Sequence, residues 1–126
     1  MKQIVMSSMA PEPIGPYSQG VASGGYVFLS GQVGRKHDAT ELEKGVAAQT
    51  EQAILNLKAV LAEQNLTLDN VVKTTVFLAD MGDFTEMNGV YAQFFDENSA
   101  PARSTVQVAG LPLAADMEIE AIASLG

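Results

Sequence analysis

Apolar residues alternate with polar ones in short runs near both ends of the chain and recur at helical spacing in two segments between them. Residues 4–6 read as a short strand and Gly20–Ser23 as a second. Between them Pro11, Pro13 and Pro16 enforce an extended, irregular passage, because each ring fixes φ and disfavours helix in the residue before it. Gly24-Gly25 is a turn signal, and residues 26–30 (Tyr-Val-Phe-Leu-Ser) are rich in strand formers, so a hairpin is predicted. Residues 34–44 are polar and loop-like. Thr40 and Glu43 have capping-box spacing, which predicts a helix starting near Glu41. Val46, Ala53, Leu57, Val60 and Leu61 share one face of that helix, and Asn65 is its expected C-cap. Residues 70–79 form a strand by their β-branched content. Asp83 with Glu86 repeats the capping signature, and Phe84, Met87, Tyr91 and Phe94 line one face of a second helix. Two more strands, 102–109 and 117–125, join through Gly110-Leu111-Pro112.

This ββ-α-β-α-ββ order predicts one α+β domain over residues 1–126, with both helices on one face of a sheet. In the 70–79 strand, alternation assigns Val72, Val76 and Leu78 to one face, and Val71 and Phe77 to the other. Two helices cover one face only. The other keeps enough apolar surface to want a partner, and oligomerisation is the economical answer.

Composition narrows the function. The 126 residues carry 7 Lys+Arg against 15 Asp+Glu, a net charge of −8, and 47% are hydrophobic. That is ordinary for one globular core and too apolar for a disordered chain. The acidity argues against nucleic-acid or anionic-membrane partners, which need clustered Lys and Arg. With no Cys and one His, disulfides, thiolate metal sites, thiol nucleophiles and His-rich zinc sites are excluded. The first residues lack a signal-peptide core and no run approaches a membrane span, so a cytoplasmic protein is expected. No Walker loop, dinucleotide fingerprint or zinc motif is present.

Alternation in the last two strands sets Arg103, Thr105 and Gln107 on one face of their strand, and Glu118 and Glu120 opposite the apolar Met117, Ile119, Ala121 and Ala123. An arginine and two carboxylates then project toward a possible subunit interface. An arginine fork suits a substrate carboxylate, and a half-buried Glu can hold and activate water. The bland alternative, favoured on pattern alone, is an interface salt bridge. Tyr17 in Gly-Pro-Tyr-Ser-Gln is either a presented phenol or a structural one. Gly31 in Ser30-Gly31-Gln32 either lets a ligand approach the backbone or simply ends a strand. Asn88, as a lone amide, carries little specificity, and His37 among Arg35, Lys36 and Asp38 reads as solvated.

At these residues the chain resembles the reactive-intermediate deaminases, the RidA/YjgF family. The matching pieces are Gly15-Pro16-Tyr17-Ser18-Gln19-Gly20, Ser30-Gly31-Gln32, the run from Val72 to Asp80, Asp83-Phe84 and Met87-Asn88. The most specific are Pro101-Ala102-Arg103-Ser104-Thr105-Val106 and Glu118-Ile119-Glu120-Ala121-Ile122-Ala123. The resemblance covers nearly the whole chain in order and reverses the preference for a salt bridge. It implies a chorismate-mutase-like sheet with two helices on one face, in a homotrimer whose sheets line a central barrel. It also implies hydrolysis of reactive 2-enamine and 2-imine acids, such as 2-aminoacrylate and 2-iminopropanoate, to 2-oxo acids and ammonia, without metal or cofactor. By the same resemblance Arg103 binds the substrate carboxylate and Glu118 activates water. Tyr17, Ser30, Gly31, Asn88 and Thr105 line the pocket, and Glu120 is structural. Thr105 stands where many members have Cys, and Gly34 where relatives often have Pro.

A plain hairpin of the last two strands would leave Glu118 about 20 Å from Arg103 at ~3.3 Å per residue, and the family's strand order inserts another strand between them. The expectation is a site assembled between subunits. Two other functions stay open: a trimer that senses a small carboxylate without turnover, and RNA cleavage, which follows older names of relatives and which the acidity disfavours.

Overall fold

The computed structural model describes all of residues 1–126. Strands β1 (Gln3–Val5), β2 (Gly20–Ser23), β3 (Tyr26–Val33), β4 (Val71–Leu78), β5 (Ala102–Gln107) and β6 (Met117–Ser124) form one sheet. Their spatial order is β1-β2-β3-β6-β4-β5, antiparallel throughout except for the parallel pair β4–β5. The chain therefore does not turn back from β5 to β6 as a hairpin. β4 lies between them, and β5 closes one edge of the sheet.

Helices α1 (Val46–Ala62) and α2 (Phe84–Phe94) pack against each other, and α1 also packs on β3 and β6. Ala53, Ile54, Leu57, Val60 and Leu61 recur at helical spacing on α1 and are completely buried. They meet Val27, Val76, Leu78, Met117 and Ile119 from the sheet. Each such Leu, Ile or Met removed from water contributes roughly 1.5–3 kcal/mol, so this single seam between helix and sheet is the main source of stability. The C-cap of α1 is Glu63 and not the expected Asn65; two residues further on, Asn65 takes the left-handed conformation (φ 58°) and the Leu66 amide reaches back to the Leu61 carbonyl at 3.1 Å.

Neither predicted capping box forms. α1 begins at Val46 behind Gly45 (φ 88°), five residues after the expected start. The Thr40–Glu43 segment is held instead as a loop: the Glu43 amide bonds the Gly34 carbonyl at 2.8 Å, and Arg35 bridges Leu42. At α2 the side chain of Asp83 makes no cap bond, and Asp80 accepts from the Gly82 amide one turn earlier.

The faces of β4 also differ from simple alternation. The register with β6 slips between Val71 and Lys73, so Val71 is buried and Val72 is 44% exposed. Thr74, Val76 and Leu78 form the core face. The opposite face of the sheet, away from the helices, carries exposed Tyr26, Phe28 and Val106 beside half-buried Phe77 and Ile122. No helix is long and apolar enough to cross a membrane.

Candidate active site

A second irregularity builds the first half of the site. Leu29 pairs with Ala121 and Gln32 with Ile119, so Ser30 and Gly31 together oppose the single residue Glu120. This bulge re-aims the end of β3. The Ser30 amide bonds the Gln19 carbonyl at 2.9 Å, and its hydroxyl donates to the Ser18 carbonyl. Gln19 is fully buried and acts as a clamp. Its side-chain amide donates to the carbonyls of Ser7, Ala10 and Pro11, and its oxygen accepts from the Ser7 amide at 2.6 Å. The proline-rich passage is thereby fixed over the bulge, with Tyr17 presented at its rim, 54% exposed.

Together these segments enclose a cavity of about 590 Å³ lined by Tyr17, Ser30, Gly31, Arg35, Glu118 and Glu120, among others. Glu118 comes from β6 and lies directly against Gly31. A Cβ at position 31 would sit 2.8 Å from the Glu118 Cδ, so any other residue there would push that carboxylate aside. The Glu118 carboxyl is pushed above the usual carboxylate range, first by burial and then by the like charge of Glu120. Gly31→Ala is accordingly expected to keep the fold while pushing the Glu118 carboxyl out of its place against β3. A changed Glu118 titration by carboxyl NMR beside an unchanged circular-dichroism spectrum is the check.

The second half lies elsewhere. Alternation along β4, with its parallel partner β5 and antiparallel partner β6, puts Arg103 beside Thr74 on the helix face and Glu118 beside Phe77 on the opposite face. The sequence expectation that arginine and carboxylates project together is thus corrected. Two strand spacings and three residues separate their Cα atoms by roughly 14 Å, on opposite sides of the sheet. The inserted strand that keeps them apart is the one the family order implied.

Phe84, Asn88 and Tyr91 follow each other at i, i+4 and i+7 on α2 and receive the guanidinium. Arg103 Nη1 donates to Asn88 Oδ1 at 2.7 Å. The guanidinium carbon lies 4.6 Å from the Tyr91 ring centre and 5.5 Å from that of Phe84. Tyr91 is anchored by its hydroxyl to Thr74 at 2.8 Å and stacks on Phe95. Burial raises the Tyr91 phenol above its ordinary value, against the opposing pull of the Thr74 hydrogen bond and the Arg103 charge. A neutral aromatic platform therefore fixes one side of the fork. Two residues along the same face, the Thr105 hydroxyl is buried without a hydrogen-bond partner.

Within this chain Arg103 has no acidic partner, the single ion pair joining Lys36 and Glu43 at 3.9 Å. The predicted residues fall into two groups: Tyr17, Ser30, Gly31 and Glu118 around the cavity, and Asn88, Arg103 and Thr105 beneath α2. No three His, Asp or Glu side chains converge to hold a metal ion. Sequence reasoning gave no role to Gln19, Arg35 or the aromatic bed of Phe84 and Tyr91. A charge two residues past the strand that carries Ser30-Gly31-Gln32, at the head of the run Arg35-Lys36-His37-Asp38, was the available signal for Arg35.

A six-stranded α+β sheet with both helices on one face carries a bulge-built acidic cavity and a separately platformed arginine. The chain belongs to the reactive-intermediate deaminase (RidA/YjgF) family, matching the family described as Endoribonuclease L-PSP over residues 7–125. It is 45% identical over 125 residues to an Escherichia coli protein provisionally named reactive intermediate deaminase TdcF, covering 98% of this chain and 97% of that one. The crystal structure of E. coli TdcF with bound serine superimposes with a TM-score of 0.91 at 44% identity, covering 97% and 98% of the two chains. That of the E. coli YjgF gene product gives 0.91 at 43%, again over 97% and 98%.

Proposed function

We propose that this chain hydrolyses 2-imino acids, and the 2-enamine acids that tautomerise to them, to 2-oxo acids and ammonia in a homotrimer with sites between neighbouring subunits. The observation that carries this reading is the split geometry. An arginine with no acidic partner offers a free fork on one side of the sheet, and a carboxyl with raised pKa waits in a cavity on the other. Either half alone lacks what the other supplies. The cavity rim carries exposed Ile14, Tyr17 and Leu113, and the sheet's open face carries exposed Tyr26, Phe28 and Val106, apolar surface suited to a neighbouring copy.

In this reading Arg103 of one subunit takes the substrate carboxylate through its free N–H groups, while Asn88 and Tyr91 hold the fork still. The unpartnered Thr105 hydroxyl is available to the same ligand. Glu118 of the neighbouring subunit accepts a proton from water as the water oxygen bonds to the carbon of the protonated imine, giving a neutral carbinolamine. Glu118 returns that proton to the nitrogen, the C–N bond breaks, and the hydroxyl proton passes to the departing ammonia, so that iminium and water leave as 2-oxo acid and ammonium. The carbonyl oxygen comes from water and no electrons are gained or lost.

A second reading is a trimer that senses a small carboxylate without turnover, and the serine bound to TdcF favours it, being an amino acid and no imine. RNA cleavage, suggested by the family description, is opposed by the −8 charge and by a cavity with three carboxylates and one cation. The deciding experiment generates 2-iminopropanoate with an amino-acid oxidase and follows its decay with and without the purified protein. Acceleration in proportion to protein is expected. Unchanged decay, with serine binding measured in the same preparation, supports the sensor instead.

A further inference from the structure

The cavity around Glu118 is lined by one cation, Arg35, facing Glu12, Glu118 and Glu120. Its backbone is fixed from three sides. Buried Asn56 of α1 donates to the carbonyls of Arg35 at 2.9 Å and of Val33 at 3.3 Å. The Arg35 amide bonds the Val33 carbonyl at 2.9 Å. Gly34 lies so close to α1 that a Cβ there would meet the Gln49 Cα at 2.3 Å. The side chain is fixed too, since Nη1 donates to the Ala39 carbonyl at 2.6 Å. Arg35 is only partly exposed, and no carboxylate lies within salt-bridge distance although three line the same cavity.

A guanidinium has five N–H donors. One carbonyl occupies one of them, and the loop that holds it is braced against a helix. A cation kept in place, partly desolvated and without a counter-charge, is arranged for an anion that arrives from outside. With Arg103 assigned to the 2-carboxylate, Arg35 is free for the far end of the substrate. We infer that Arg35 sets the substrate class of this chain toward 2-imino diacids, binding the side-chain carboxylate of the imines formed from four- or five-carbon amino diacids. The three cavity glutamates sharpen the requirement. They favour the cationic iminium end of the substrate but repel a second carboxylate unless Arg35 receives it.

This inference rests on the deaminase reading, and the experiment separates the two. Values of kcat/KM are measured for the wild type, Arg35→Gln and Arg35→Lys on 2-iminosuccinate, 2-iminoglutarate and 2-iminobutanoate, each generated by an oxidase. The wild type is expected to prefer one diacid over the monoacid by at least about tenfold. In Arg35→Gln that ratio should fall about thirtyfold, the loss of a charge-assisted bidentate contact. Arg35→Lys, which keeps the charge but not the fork, should fall between. A wild type that turns over 2-iminobutanoate with no diacid preference, or a ratio that moves less than threefold in Arg35→Gln, overturns the inference and leaves the deaminase reading standing. Failure to turn over any imine overturns the deaminase reading. Calorimetric binding to the wild type and Arg35→Gln then decides the Arg35 assignment alone: the wild type must bind oxaloacetate or 2-oxoglutarate about tenfold more tightly than 2-oxobutanoate and Arg35→Gln must lose that preference, and equal wild-type affinities or an unchanged preference in the variant reject it.

Discussion

Replacing Arg103 with alanine is expected to slow the proposed 2-imino acid hydrolysis by roughly thirty- to a thousandfold while leaving the protein folded. The guanidinium is the only donor fork on its side of the sheet, and a preorganised charge-assisted contact of this kind is worth about 2–4 kcal/mol in the transition state. Its removal costs little structure, because it sits on β5 at the sheet edge and touches Asn88 and two rings rather than the central seam. Arg103→Lys keeps the charge but loses both the planar stacking on Tyr91 and the two-point grip, so it should recover only part of the rate. The proposed split across subunits makes a sharper demand. Arg103→Ala and Glu118→Ala chains, each at a few per cent of wild-type activity or less on its own, are unfolded together in equal amounts and refolded. A site between neighbours then receives an intact arginine and an intact glutamate in about one case in four, as for any head-to-tail ring interface. Recovery of about a quarter of wild-type turnover, with the mixed species verified by mass spectrometry, is the expected result. Mixed trimers with no recovery would mean that both groups serve one chain, or neither serves catalysis.

The order of elements was legible from periodicity, because both helices bury a stripe at helical spacing and four strands are bounded by Gly, Pro or Asn. What alternation could not supply was parity between strands. Counting from Ala102 or from Met117 fixes which neighbours share a face along one strand, but not how β5 and β6 compare across the intervening β4. That comparison depends on long-range register, Thr74 with Arg103 and Phe77 with Glu118. Two bulges hid in the same way. Val71-Val72 looks like uninterrupted strand, and Ser30-Gly31 looks like a strand end, until β6 is laid beside them. The capping boxes failed for a related reason: Thr40–Glu43 satisfies a local pattern, but pairing of 34–43 across the loop offers the same backbone groups better partners. For the site, the resemblance named Asn88 and Arg103 separately, and the structure adds that α2 exists in part to hold one with the other. Gln19 was visible only as a letter in a motif, since a fourfold hydrogen-bond clamp leaves no periodic trace.

Glu118 carries a prediction in which activity and stability move in opposite directions. In the proposed role of base that takes a proton from water it must be ionised, so turnover should fall on acidification through its raised pKa, at a pH above that of an ordinary glutamate. Glu120→Gln removes the like charge but not the burial, which is the larger cause, so the acid limb of kcat/KM should move down only part of the way. Glu118→Gln should lose about a hundred- to ten-thousandfold in kcat at every pH. The sign for folding follows from linkage. A carboxyl whose pKa is higher in the folded than in the unfolded state binds its proton more tightly when folded. Its contribution is most favourable below the unfolded pKa and is lost as pH rises through the folded pKa. At neutral pH the wild-type carboxylate is thus a burden on the fold, one that the neutral amide of the glutamine variant does not carry. Thermal unfolding at matched protein concentration should show Glu118→Gln melting above wild type near pH 7, with the gain vanishing toward pH 4 and below. The opposite order at neutral pH would mean that some donor already stabilises the charged form, and a base held that way would be poorly placed to accept a proton from water.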